Sequence, residues 1–316
     1  MDDDRKIIEQ LHELGDRRRE RREFFRALVS VAGVTGAMQM ALTVTPANAQ
    51  SAPSDADVLN FALNLEYLEA QFYSFAVNGT GLAASDLTGS GTQGTVTGGR
   101  KVNFTDPIVE QYAREIAGDE VAHVKFLRAQ LGGSAVSQPA IDIGTDPNGA
   151  FSSAARAAGL VGAGQSFDPY ASDENFLLGA FIFEDVGVTA YKGAAPLISN
   201  TTYLEAAAGI LAVEAYHAGI IRTTLYGKGI DTPSLRTSAD KISDARDSLD
   251  GTSDLDQGIS PTGDVSNIVP LDANGLAFSR TTGQVLNIAY LTKLAANSGG
   301  FFPSGVNGTI RTSAAN

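Results

Sequence analysis

Beyond residue 49 the chain contains only two histidines, His123 and His217, and each follows a glutamate by three positions, in Glu120-Val-Ala-His123 and Glu214-Ala-Tyr-His217. Nine glutamates occur in the same stretch, so meeting one three positions before both histidines by chance has odds on the order of one in a thousand. Residues three apart share a helix face, so each run can bring a carboxylate oxygen and an imidazole nitrogen to one point. A histidine taken singly is ordinarily a hydrogen-bonded core or surface group. The repeated pairing points instead to metal, with each helix supplying part of a dinuclear site.

A four-helix carboxylate site also needs one glutamate from each of two further helices. Glu66 and Glu184 meet that need: each lies in an apolar run and is followed seven residues later by a tyrosine, Tyr73 or Tyr191. An unpaired buried carboxylate costs several kcal/mol to desolvate and calls for a cation. Glu69 is a rival to Glu66, one turn along nearly the same face, but only Glu66 shares the tyrosine spacing. No cysteine occurs in the chain, which excludes disulfides, iron–sulfur clusters and thiolate zinc sites. Carboxylate and imidazole suit iron and manganese and, less selectively, zinc.

The order Glu, Glu-x-x-His, Glu, Glu-x-x-His resembles that of the ferritin-like di-iron superfamily, in which two duplicated helical hairpins donate the same ligands twice. The run Leu63-Asn-Leu-Glu-Tyr-Leu-Glu69 and the tail Gly299-Gly-Phe-Phe-Pro-Ser-Gly-Val-Asn-Gly308 are similar to its exported, desiccation-associated branch. The resemblance implies an all-α, ferritin-like four-helix bundle: two antiparallel helix pairs joined by a long crossover, with a C-terminal extension containing a further helix. It also implies two iron or two manganese ions. Glu66, His123 and a bridging Glu120 would form one half of the site, and Glu184, His217 and a bridging Glu214 the other. Tyr73 and Tyr191 are either hydrogen-bond partners of the ligands, redox-active groups or core aromatics. Asp119 and Asp185 either orient the imidazoles or are surface carboxylates.

Helix signals fall where these motifs need them. Ser54 or Asp55 caps a first helix through Glu66 and Tyr73, and Asp106-Pro107 opens a second that closes at Leu131-Gly132. A third starts near Asp173, and a fourth runs from about Asn200 to Tyr226, where Gly227 and Gly229 are expected to stop it. About forty residues lie between the second and third helices, with a short helix expected around Ser153 to Leu160. The bundle is expected over 50–230, with a Gly/Thr-rich insert at 78–105 that reads as a solvated loop, a small hairpin or a lid. Residues 231–316 read as an extension: an acidic linker through Asp240, Asp244, Asp247, Asp250, Asp254 and Asp256, then a helix near 281–297. Phe301 and Phe302, set between glycines, should dock on something.

Residues 1–49 read as a leader. A basic run, Arg17 to Arg22, precedes a modestly apolar segment from Ala27 to Thr45 and a small-x-small site at Ala47-Asn-Ala49. Arg21-Arg-Glu-Phe-Phe25 resembles the twin-arginine export signature, which carries folded proteins and so suits a metalloprotein loaded before export to the periplasm or exterior. The chain carries a net charge of −13, and the leader is charge-balanced, so an acidic protein remains that gains nothing from nucleic acid.

Four carboxylates and two imidazoles neutralise two divalent ions and leave positions for oxygen species. The expected function is redox chemistry with peroxide or dioxygen in oxidative or desiccation stress, a homo-oligomer being allowed. A stress-associated binding or structural protein with little turnover is the alternative. Iron oxidation and storage is weaker, because the insert and extension must fit a shell. A manganese catalase is a further reading, with a ligand pattern less symmetric than this one.

Overall fold

The computed structural model describes residues 52–316; the expected leader lies outside the described residues. The first helix, α1 (Asp55–Asn78), starts with a capping box: the Ser54 hydroxyl accepts from the Asp57 amide, and the Asp57 carboxylate accepts from the Ser54 amide at 2.8 Å. Gly79 closes it with φ 76°, a left-handed turn that glycine adopts without penalty. Asp106 caps α2 (Pro107–Leu131), with proline in the first turn, where its missing N–H costs nothing. Ser172 caps α4 (Asp173–Ala194) and Asn200 caps α5 (Thr201–Asp231). The crossover between α2 and α4 contains α3 (Ala150–Ala157). These elements form two antiparallel pairs, α1 with α2 and α4 with α5, joined by that crossover: a ferritin-like helical bundle.

Aromatic side chains weld the crossover and the tail to the bundle. Phe72 of α1 stacks on Phe176 of α4 at 5.7 Å, and Phe301 of the tail meets Phe183 at 4.9 Å and Phe151 of α3 at 5.2 Å. Phe301 and Phe302 are fully buried, so the aromatic tail is core.

Several expectations need correction. Helix α5 does not stop at Gly227 but runs through Gly229 to Asp231. A Cβ at Gly229 would stand 2.4 Å from Arg236 Cγ, so this glycine serves close packing rather than termination. The Arg236 guanidinium bonds the Tyr226 carbonyl and lies over the Tyr226 ring. By length and composition α5 could cross a membrane, yet its buried stripe lines the bundle core. The insert is not a hairpin. It is pinned to the crossover by a short parallel pair, β1 (Val96–Gly98) with β2 (Ile141–Ile143), and by backbone bonds from Ser90 and Gly94 to residues 135–138.

The acidic segment is not a linker. It forms α6 (Ser234–Asp250), and Asp250 and Asp256 are buried against arginine. Arg280 bonds Asp250 at 2.5 Å and Asp256 at 2.9 Å; Arg246 bonds Asp256 at 2.7 Å and Asp185 at 2.9 Å; Arg222 bonds Asp185 at 2.8 Å. Three arginines and three aspartates thus tie the extension to α4 and α5. The last helix, α7 (Thr282–Tyr290), opens on a Thr281–Gln284 capping box and ends well short of residue 297. Leu291 takes a left-handed turn at φ 54°, held by the Asn287 amide on the Thr292 carbonyl.

Candidate metal centre

Glu66 on α1, Glu120 and His123 on α2, Glu184 on α4, and Glu214 and His217 on α5 meet in the bundle centre, and all six are buried. Periodicity explains the convergence: each lies on its helix's buried stripe, and each Glu-x-x-His pair turns both groups inward. His123 Nδ1 lies 3.2 Å from Glu66, 3.7 Å from Glu120 and 3.7 Å from Glu214. His217 Nδ1 lies 3.1 Å from Glu120 and 3.6 Å from Glu184. Glu120 directs one oxygen toward each histidine, and Glu214 belongs to both clusters whose ligand atoms lie within 4.8 Å of one another: Glu66, Glu120, His123 and Glu214, then Glu184, Glu214 and His217. The two Glu-x-x-His glutamates therefore sit between the halves, and Glu66 and Glu184 at the ends.

The donor set fits a metal pair. Both oxygens of Glu120, both of Glu214, one of Glu184 and His217 Nδ1 are buried without a hydrogen-bond partner among the described residues. Buried polar atoms are nearly always paired, and six orphans around one point, all metal-ligating types, are satisfied together by cations there.

Without cations the site compensates by holding protons. Burial disfavours the His123 imidazolium, but Glu66 and Glu120 overcome it and raise its pKa to about 11. His217 responds likewise, to about 9, through Glu120, Glu184 and Asp119. Burial would raise Glu120, yet the two histidines beside it hold it at about 2. Glu66 is pushed up to about 7 and Glu184 to about 8, both chiefly by burial. Glu214 is raised well above the carboxylate range by burial and the surrounding carboxylates.

The two tyrosines act crosswise. The Tyr73 hydroxyl on α1 donates to Glu184 on α4, and the Tyr191 hydroxyl on α4 donates to Glu66 on α1. Each end carboxylate is held by the helix opposite, so the repeated Glu-to-Tyr spacing of seven is a reciprocal brace. Asp119 lies 3.1 Å from His217 Nε2, the ring nitrogen turned away from the centre. Asp185 neither bonds an imidazole among the described residues nor lies at the surface, so neither alternative holds; one residue past Glu184 on the helix, it is buried facing away from the centre and pairs with Arg222 and Arg246. Glu69 lies outside both ligand clusters. It is buried and raised well above the carboxylate range, by desolvation first and then by Glu120, Glu184 and Glu66.

Gly187 escaped the sequence reading. A Cβ there would lie 2.1 Å from Glu214 Oε2, so the missing side chain is what lets Glu214 reach the centre. Its signal was present: a glycine inside a helix, three residues after a candidate ligand, Glu184, and on its face.

A ferritin-like domain model matches residues 54–227, a range that reaches into all four bundle helices and holds all six of these residues. The chain is 28% identical over 271 residues to the ferritin-like catalase Nec2 of Nesocodon mauritianus, covering 81% of this chain and 85% of that protein. It is 32% identical over 162 residues to the desiccation-related protein PCC13-62 of Craterostigma plantagineum, where the match spans 51% of this chain and only 50% of the relative. The chain belongs to the ferritin-like domain family.

Proposed function

We propose that this protein holds two iron or two manganese ions between its helix pairs and disproportionates hydrogen peroxide, acting after twin-arginine export. The observation that carries the reading is the cluster of six buried, unpartnered nitrogen and oxygen atoms contributed by Glu120, Glu184, Glu214 and His217. Glu66 and His123 complete one end and Glu184 and His217 the other, with Glu120 and Glu214 between. When bound, the metal pair supplies a two-electron redox couple. The surrounding chain keeps the ligands in place, through Tyr73, Tyr191 and Asp119, and keeps bulk water out. Two peroxide molecules give two waters and one dioxygen, so the reaction balances without an external reductant. The name of the relative matched over most of its length, a ferritin-like catalase, supports this choice among reactions of peroxide and dioxygen.

A second reading is a stress-associated protein that keeps the centre but has little turnover, favoured by the desiccation-related relative. An oxygen electrode separates the two. Protein loaded with iron or manganese is expected to evolve one dioxygen for every two peroxides consumed. A fully loaded protein that evolves none, with either metal, sinks the catalase reading and leaves the second.

A further inference from the structure

A small apolar cavity of about 30 Å³ lies between α1 and α4, beside the metal site. Leu65 and Leu68 of α1 and Ile182, Phe183 and Val186 of α4 form its sides. The C-terminal extension roofs it with Val285, Ile288 and Ala289 of α7 and with Phe301. Two wall residues differ in kind. Gly187 has Glu214 directly behind it, so at that point the wall is one backbone thick. Glu69 is the single ionisable side chain of the lining; it is only 6% exposed and makes no hydrogen bond among the described residues. On its other side it feels the charges of Glu66, Glu120 and Glu184. Leu65, half-buried, also borders a second apolar cavity along the same α1–α4 seam, which reaches Tyr191, the brace on Glu66.

We propose that this cavity is the passage by which small uncharged oxygen species reach and leave the metal pair, with Glu69 as its polar inner end and the C-terminal extension setting its width. The inference rests on the metal-centre reading of the preceding section. Wall chemistry selects the traffic. An anion would have to shed its water among aliphatic side chains and then face Glu69 and the centre's carboxylates, and a hydrated cation would lose its shell without replacement ligands. Hydrogen peroxide and dioxygen are small and neutral; peroxide finds in Glu69 a hydrogen-bond partner, and dioxygen needs none. The Glu69 oxygens are not among the side-chain atoms sealed off without a partner, so a polar guest in the cavity can reach them. The bundle alone would leave this seam open, because four of the lining residues come from the extension.

The test uses the full chain loaded with two Fe²⁺ ions. Xenon, which occupies dry apolar cavities, is expected between α1, α4 and α7 in crystals pressurised with the gas. Ala289→Leu fills that space from the roof and should expel xenon and slow nitric oxide binding to the ferrous centre at least five-fold in stopped flow. Leu65→Phe narrows the cavity from α1 and should act in the same direction, covering a failure of the first variant to fold. Glu69→Gln should retain two irons and the nitric oxide rate while slowing the reaction with peroxide. A nitric oxide rate within two-fold of the parent, in a variant that holds two irons and has lost xenon, overturns the passage. Loss of iron in Glu69→Gln overturns the role given to Glu69, since it would then be a ligand. Fewer than two irons in the parent overturns the reading beneath, which is separable because nitric oxide binding needs no turnover.

Discussion

At the centre, four buried glutamates face two histidines, and nothing but protons or metal can balance them. Replacing His123 or His217 by alanine removes both a ligand and a cation from the metal-free site. Truncating one partner of a buried charge cluster costs roughly 3–5 kcal/mol, so each variant should lose metal and melt at lower temperature than the parent. A variant with two bound ions and an unchanged melting temperature contradicts the ligand assignment. The pH dependence follows from the same groups. Glu66 and Glu184, raised to about 7 and 8, bind protons more tightly folded than unfolded. They therefore favour the metal-free fold least once pH has risen from about 4.5 through those values. His123 and His217, raised to about 11 and 9, contribute stability present in full below about 6.5 and lost progressively as pH rises through those values. Metal binding displaces these protons, so the gap in melting temperature between loaded and metal-free protein should widen from pH 5 to pH 9. A gap that narrows would contradict the proton inventory. The histidine pairs and the end glutamates were legible in sequence because helical spacing converts order into facing direction. The outward turn of Asp185 was not, since its arginine partners lie 37 and 61 residues away.

Helix starts were readable because capping is local: Ser54, Asp106 and Asn200 act within three residues. Ends depended on side-chain packing that spacing alone does not show. Gly229 makes room for Arg236, and Leu291 turns left-handed beside the Asn287 amide. Within α4, Gly187 separates the needs of the helix from those of the site. Gly187→Ala improves intrinsic helix propensity by about 1 kcal/mol, yet its methyl would stand 2.1 Å from Glu214 Oε2. The variant should lose metal while its metal-free form melts within a few degrees of the parent. Normal metal content in Gly187→Ala would show that Glu214 can hold the ions from another position.

Across the molecule, the extension is part of the fold. Its run of aspartates reads as a solvated linker in sequence because spacing alone does not show which charges pair; burial of Asp250 and Asp256 appears only once Arg246 and Arg280 are in place. Arg280→Ala leaves Asp250 buried without its cation and removes one of the two arginine partners of Asp256, so it should destabilise the whole chain by roughly 3–5 kcal/mol. Chemical denaturation should remain one transition at lower denaturant. Two transitions, with the bundle unchanged, would make the extension an independent appendage. The central claim is the metal pair itself, and elemental analysis of natively produced, chelator-free protein tests it most directly. The account predicts close to two iron or manganese ions per chain, lost in His123→Ala; natively produced protein with neither metal above trace would contradict it.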